Sequence, residues 1–399
     1  MTKTTHRAPA GTAPVLGVRA LNRATLDRQL LLRRSADLSV GDAVAHLVGL
    51  QAQNVKPPYH ALAARLEDFD PAGLSALLES RDLVRMVTMR STIHLHTAAD
   101  ARTLRPLVQG ALERELSAFR KGLAGVDLTA LAALAREAVE AEPRTPKQLR
   151  ELLLVRWPDA DPQSLGIAAR CTLPLVQVTP RGLWRRGGQV ALTTVAAWLG
   201  GDEGTVPAPD DTVLRYLGAF GPASVKDLQT WAGLTRMREV FERLRPGLRT
   251  FRDENGVELF DLPDAPRPDP DTPAPPRFLP EFDNLLLSHA DRARVVPAAY
   301  KGRTWKGNVS YPVFLLDGFL AGVWRLTQDT EGGTALLTIE PFEPSGPSEP
   351  DTSGRRGKRG GPLGRGQREE LTREAERMLT RIAGASSSYD IRFGTVIDA

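Results

Sequence analysis

From Val18 the chain becomes periodic, and in ALNRATLDRQLLLRR (20–34) leucines and arginines separate at helical spacing. Leu21, Leu26, Leu30 and Leu31 fall near one helical face with arginines on the other, so an amphipathic helix is expected. In SVGDAVAHLVGLQ, Val44, Leu47 and Val48 form the next apolar stripe, and Gln51 continues it. Ser39 stands where a hydroxyl can cap that helix. Pro57 and Pro58 suit the first turn of a further helix through YHALAARL, and another starts at Asp70-Pro71. The period then shortens to alternation: DLVRMVTMRSTIHLHT is rich in β-branched residues and predicts a strand pair. Several short helices followed by a small β-ribbon outline a winged helix-turn-helix.

The outline recurs. TPKQLRELLLVRW and DPQSLGIAARCTLPL predict two helices, and VQVTPRGLWRRGGQVALT a hairpin with turns at Pro180-Arg181-Gly182 and Gly187-Gly188. DTVLRYLGAFGPASVKDLQTWAGL and RMREVFERL are again helical, and LRTFRDENGVELFDL is a hairpin turning at Asn255-Gly256. A repeat of about 80 residues is too long for a solenoid and suits tandem domains. The proline-rich stretch 263–277 predicts an extended linker. Beyond it, VFLLDGFLAGVWRLT predicts a hairpin around Asp317-Gly318, TALLTIEPF a strand, and QREELTREAERMLTRIAG a closing helix with a glycine stop. The segment 344–366 is poor in hydrophobic residues and is expected to be mobile. The expected fold class is α+β: tandem winged helix-turn-helix domains, a C-terminal β-rich part and a final helix. The expected boundaries are a disordered tail over 1–16, winged helices over 17–124, 125–207 and 208–277 (the last with the linker), and a C-terminal region over 278–399.

Composition narrows the function classes. A chain of 399 residues with 41% hydrophobic content can bury sizeable cores. Its single cysteine, Cys171, excludes an internal disulfide. The opening MTKTTHRAPAGTAP lacks the apolar stretch of an export signal, and no run approaches the roughly 20 apolar residues of a membrane span. A cytoplasmic, nucleoid-associated location is therefore expected. The net charge of +4 says little about a polyanionic partner, but arginine greatly outnumbers lysine. Arginine's planar fork suits phosphate, and an arginine-rich genome gives the same bias, so the position of the arginines has to decide.

Metal and cofactor chemistry are not expected. The six histidines have no carboxylate or cysteine at ligand spacing, and GRRGKRGG lacks the context of a phosphate loop. Cys171 lies in an apolar helical run and reads as core. Basic segments carry more. WRRGGQ puts Arg185 and Arg186 at an expected wing tip, and KGRTWKGN interleaves Lys301, Arg303 and Lys306 with Trp305. Cations hold phosphates while an indole stacks on bases; the alternative is a solvated loop with its Trp anchored inward.

The two glutamines in VGLQAQNVKPPY remain. A glutamine at a helix end usually caps or meets solvent. Gln51, however, extends an apolar stripe, so its amide should face inward and need partners, and Gln53 could swing to the same point. Two neutral amides can hold a water, each offering an acceptor and a donor. They are poor general bases and suit only a reaction whose leaving group is already activated.

LVGLQAQ, with LNRATLDRQLLLRR before it and MVTMRSTIHLHTAADA after it, resembles the AlkZ-like winged-helix DNA glycosylases. FLPEFDNLLLSHADRARVVP (278–297) is similar to a second hallmark of that family. The resemblance covers about residues 18–345 and implies three tandem winged helices plus a β-rich part around a basic DNA channel. It also implies a catalytic Gln-x-Gln motif at Gln51 and Gln53; a related branch carries Gln-x-Asp instead. The implied activity is monofunctional hydrolysis of the N-glycosidic bond of alkylated bases, such as N7-alkylguanine, bulky adducts or interstrand cross-links. Double-stranded DNA would be the partner, the protein a monomer, and the role DNA repair by base excision or self-resistance to a genotoxic antibiotic. Arg90, Thr92 and His94 share one face of the expected strand: either near the glutamines and DNA, or a core edge with a buried arginine. Asp283, Asn284, His289 and Arg292 match the second hallmark, serving either the site or the attachment of the C-terminal part. The rival readings are a noncatalytic winged-helix regulator or damage sensor, which predicts sequence-specific binding and a two-fold dimer, and an RNA-binding protein.

Overall fold

The computed structural model describes residues 13–202, 206–307, 309–329, 333–343, 363–383 and 388–395. Most of the segment expected to be mobile (344–362) and the first twelve residues of the expected tail lie outside that set.

The described chain opens with β1 (Val15–Leu16) and α1 (Val18–Arg28). The expected tail ends earlier than residue 16, because Val15 and Leu16 pair in parallel with Arg252 and Asp253. Leu21 and Leu26 face the core as expected, whereas Leu30 lies past the helix at φ 58°. The arginines of α1 are not a solvent face. Arg23 and Arg28 are buried, Arg23 pairing with Asp317 and Arg28 with Asp261 at 2.6 Å. The stretch 263–277 is extended as expected, yet it is strapped along α1: carbonyls of Pro266, Pro270 and Thr272 accept from Arg28, Arg19 and Arg23.

α2 (Val40–His46) is capped by Ser39, whose side chain accepts from the Asp42 N–H. It stops because Val48 and Gly49 take φ of 55° and 92°. Gly49 is required there, since a Cβ would fall 2.3 Å from the His96 ring. Gln51 therefore does not prolong the helical stripe; it lies in β2 (Leu50–Gln51). α3 (Pro57–Arg65) starts on its prolines, and α4 (Pro71–Glu79) is capped by Asp70. β3 (Leu83–Val87) and β4 (Ile93–Thr97) are the expected antiparallel pair. The corner between them is a 3-10 turn over Met89–Ser91, so Arg90 and Thr92 lie off the strands and only His94 is in β4.

α5 (Ala98–Leu107), α6 (Gln109–Ala118) and α7 (Leu128–Ala141) lead to α8 (Pro146–Arg156) and α9 (Pro162–Thr172), the last two capped by Thr145 and Asp161. Cys171 is buried there as expected. The hairpin that follows, β5 (Leu175–Gln177) and β6 (Leu192–Thr194), is shorter than expected, with only three residue pairs. β5 pairs with β3, giving one five-stranded sheet of order β2-β4-β3-β5-β6. Strands expected in two separate units thus share a sheet, burying the edges each would expose alone.

Next come α10 (Val195–Leu199), α11 (Pro209–Phe220), α12 (Val225–Ala232) and α13 (Arg238–Leu244), then β7 (Arg249–Asp253) and β8 (Glu258–Asp261), with Gly256 at φ 78° in their turn. β9 (Arg277–Leu279), α14 (Asn284–Leu287) and the small hairpin β10 (Trp305–Lys306) and β11 (Val309–Ser310) follow. β12 (Val313–Leu316) and β13 (Phe319–Asp329) turn at Asp317-Gly318 as expected; β14 (Thr334–Pro341), α15 (Arg365–Ile382) and β15 (Ser388–Phe393) complete a second five-stranded sheet, order β15-β14-β13-β12-β9. The class is α+β. Among the described residues no helix is long and apolar enough to cross a membrane.

One large core joins α3, α4 and α15 to this second sheet. His60 lies within it on the Trp324 ring, centroids 5.5 Å apart, and neither ring nitrogen has a hydrogen-bond partner among the described residues. Burial pushes its pKa down to about 3, and those of His96 and His289 to about 4 and about 3. Their folded values lie below the unfolded value of about 6.5. The stability gained by keeping them neutral is complete above that value and is lost as pH falls toward 3 or 4. His60→Leu should make urea unfolding less steeply pH-dependent below about pH 6 without loss of stability at neutral pH. An unchanged acid slope would mean that the ring is solvated.

Candidate active site

β2 and the residues after it carry both glutamines to the β3–β4 corner. Gln51 lies opposite His94, and the Ala52 N–H donates to the Ile93 carbonyl at 2.7 Å. β2 ends at Gln51, and Gln53 follows in the bend that leads to α3, so the two side chains meet this corner at different depths, one buried and one exposed. Gln51 is 7% exposed, and its Oε1 accepts from Arg90 Nη2 at 2.7 Å. Gln53 is exposed, and its Oε1 accepts from the Ile93 N–H at 3.3 Å. Both donors can only donate, so each amide is oriented oxygen-inward. What each still offers is its NH2 group and a second oxygen lone pair.

Arg85, which the sequence reading passed over, holds this run from behind. Its guanidinium donates to the carbonyls of Ala52 at 2.8 Å and Asn54 at 3.4 Å, on either side of Gln53. The signal was present: a charge inside the alternating strand LVRMV needs inward acceptors. Burial, with Arg181 nearby, pushes the Arg85 pKa down to about 10, so it stays charged at neutral pH. Burial and then the Arg292 charge lower Arg90 to about 10 as well. Burial and Arg90 hold His94 well below the ordinary histidine range, so it is neutral.

The second motif packs directly against the first. Asp283 forms a fully buried ion pair with Arg65 at 2.8 Å, and Asn284 Nδ2 donates to the Gly49 carbonyl at 2.7 Å. Asn54 donates to Glu281 at 3.1 Å, so residues 281–284 grip both ends of the glutamine run. His289 is buried on the Phe220 carbonyl at 3.0 Å, while Arg292 is exposed. Thr92 turns away, its hydroxyl donating to the Met89 carbonyl.

The other basic candidates lie on separate loops. Arg185 and Arg186 are exposed beside Trp184, on a cleft of about 450 Å³ that Val55, Lys56 and Tyr59 also line. Trp305 is 36% exposed and meets the Phe282 ring edge-on at 5.4 Å, which places the β10–β11 hairpin next to the second motif. Lys301 and Lys306 are exposed, whereas Arg303 turns back over Phe342 at 4.4 Å and donates to the Glu343 carbonyl.

Arginine position answers the question that composition left open. Arg28, Arg34 and Arg65 are buried against Asp261, Glu374 and Asp283. Around the glutamines the pattern reverses: among the described residues Arg85, Arg90, Arg181 and Arg292 form no ion pair, nor do Lys56, Arg185 and Arg186. Positive charge without an ion-pair partner thus lies near the two oriented amides, beside the carboxylate of Glu281 that accepts from Asn54, and such a surface suits an anionic ligand.

The sequence matches the family described as DNA glycosylase AlkZ-like over residues 44–381, and the chain belongs to that family. A curated relative, the interstrand DNA cross-link repair glycosylase of Streptomyces sahachiroi, is 26% identical over 357 residues, 79% of this chain and 88% of its own. The solved structure of Streptomyces sahachiroi DNA glycosylase AlkZ superposes with a TM-score of 0.74, at 20% identity, covering 95% of this chain and all of that one. The family match runs into α15, farther than the resemblance seen in the sequence.

Proposed function

We propose that this protein is a monofunctional DNA glycosylase that hydrolyses the N-glycosidic bond of N7-alkylated guanine in duplex DNA. The observation that carries the reading is the pair of oxygen-anchored amides, Gln51 and Gln53, within a field of unpaired arginines. Alkylation at N7 makes the purine cationic. When the C1′–N9 bond breaks, its electron pair goes to the base and neutralises it, leaving an oxocarbenium-like sugar. No strong acid is needed. A water held by the remaining lone pairs and NH2 groups of the two glutamines adds to C1′ and releases its proton to solvent. Positioning of this kind can supply several kcal/mol of the barrier. The lysine nearest in sequence, Lys56, is at the N-terminus of α3, three residues past Gln53. Hydrolysis without a Schiff base, and so without strand cleavage, is the simpler route.

The helix-and-hairpin units over 17–124, 125–207 and 208–277 act in this reading as winged helices that grip the duplex, the protein working as a nucleoid-associated cytoplasmic monomer. An open grip tolerates bulky adducts and cross-links that a closed base-flipping pocket excludes. The relative's cross-link repair supports extending the substrate class to these lesions and the role to self-resistance against an alkylating natural product. Arg185, Arg186, Lys301 and Lys306 contact phosphate. The double variant Arg185→Ala/Arg186→Ala should weaken duplex binding and lower the salt slope of log K by about 2. An unchanged slope removes both from the interface.

The direct test incubates the protein with duplex bearing a single N7-alkylguanine, then treats it with hot alkali. The expected result is free modified base and a strand break at the lesion only after alkali. Stable binding without abasic sites would favour a noncatalytic sensor instead. A panel from simple methyl to bulky and cross-linked adducts then fixes the substrate.

A further inference from the structure

We infer that Arg90 is the positioning residue for Gln51, fixing the orientation of its amide from a seat on α12, and is not a phosphate contact. The inference rests on the glycosylase reading.

A guanidinium carries donors only. Nη2 donates to Gln51 Oε1 at 2.7 Å, and Nη1 donates to the Trp231 carbonyl in the last turn of α12. That carbonyl lies at the negative end of the helix, where a cation is favoured. The same Nη2 lies 3.4 Å from His94 Nε2. His94 Nδ1 is 3.0 Å from the Thr92 carbonyl, which can only accept, so Nδ1 carries the proton and Nε2 presents its lone pair to Arg90. Three neutral acceptors thus surround one charge, and among the described residues no carboxylate pairs with it. A flipped Gln51 amide would set NH2 against guanidinium, donor against donor. Arg90 therefore allows one amide orientation, the one that leaves the Gln51 NH2 group free.

The backbone is bent to make this possible. Arg90 and Ser91 take φ of 54° and 58°, a region that non-glycine residues rarely adopt, and the corner thereby sends the side chain back toward β2. Gly233, which ends α12 at φ 73°, abuts the same corner: a Cβ there would lie 3.3 Å from the Arg90 backbone nitrogen. The consequence is a link from the helix α12 to the catalytic amide through a single side chain. Lysine keeps the charge but lacks the fork needed to reach Gln51 and Trp231 together.

The test compares single-turnover release of N7-methylguanine with duplex affinity for Arg90→Met, Arg90→Lys, Gln51→Ala and the double variant Arg90→Met/Gln51→Ala. Each Arg90 variant should lose on the order of 100-fold in rate, with affinity within about threefold of wild type. In the Gln51→Ala background, Arg90→Met should cost almost nothing further, because its effect passes through that amide. A fifth variant, Arg90→Ala, should lose rate to a similar extent and be partly restored by guanidinium ion. If the rate losses multiply fully, or the main loss is in affinity, Arg90 acts independently of Gln51 and the inference is overturned. If wild type releases no base, the glycosylase reading fails first. Arg90→Lys keeps the test open should Arg90→Met not fold.

Discussion

Gln51→Ala and Gln53→Ala should each lower single-turnover base release from an N7-alkylguanine duplex by about 100-fold or more, with duplex affinity nearly unchanged. Gln51 is almost entirely buried and its oxygen is held by Arg90, so it contributes little surface to a bound duplex. Gln53 is exposed but tied to the Ile93 N–H, so removing it costs orientation of the water rather than grip. The double variant should be little worse than the worse single, since either loss releases the same water. Single-turnover kinetics beside fluorescence anisotropy separate rate from binding. An equal loss of affinity and rate would demote both glutamines to structural residues.

The second large effect is on stability. Arg65 and Asp283 are both fully buried and joined by two hydrogen bonds of 2.9 and 2.8 Å. Removing one partner strands the other charge in the core, so Asp283→Ala or Arg65→Met should cost about 3–5 kcal/mol in urea unfolding. Asp283 also caps α14 by accepting the Leu285 N–H at 3.0 Å, which adds to the cost of its removal. Residues 281–284 hold both ends of the glutamine run, so whatever protein remains folded should also lose activity. Wild-type stability with weakened DNA binding would instead place Asp283 on the DNA surface.

The helices and strands were legible wherever periodicity met a capping or turn residue. Ser39, Asp70 and the Asn255-Gly256 and Asp317-Gly318 turns lie where their side chains and backbone require. The polar face of α1 was not legible, because the partner that buries Arg28 is 233 residues away. A run of arginines opposite leucines looks solvated until the strap that covers it is in place. The helical stripe through Gln51 misled for a local reason: Gly49 packs on His96, a contact from β4 that no window of sequence around residue 49 contains. Nor does alternation say which strands pair, so the β3–β5 union was out of reach. For the site, the type and spacing of the glutamines raised the question, and it was the family resemblance that nominated them as catalytic. Arg90 was nominated for DNA because a strand was expected to continue through a corner whose left-handed backbone turns the side chain inward.

In the proposed reaction two uncharged amides suffice because the leaving base already carries its charge. The pH dependence of single-turnover release tests this. Glutamine does not titrate, His94 stays neutral, and Arg85 and Arg90 remain charged below about pH 10. The rate on N7-methylguanine duplex should therefore be flat from about pH 6 to about pH 8.5. A bell, or a limb with a pKa inside that window that is absent from the uncatalysed release of the same base, would reveal a titrating acid or base of the protein and contradict this chemistry.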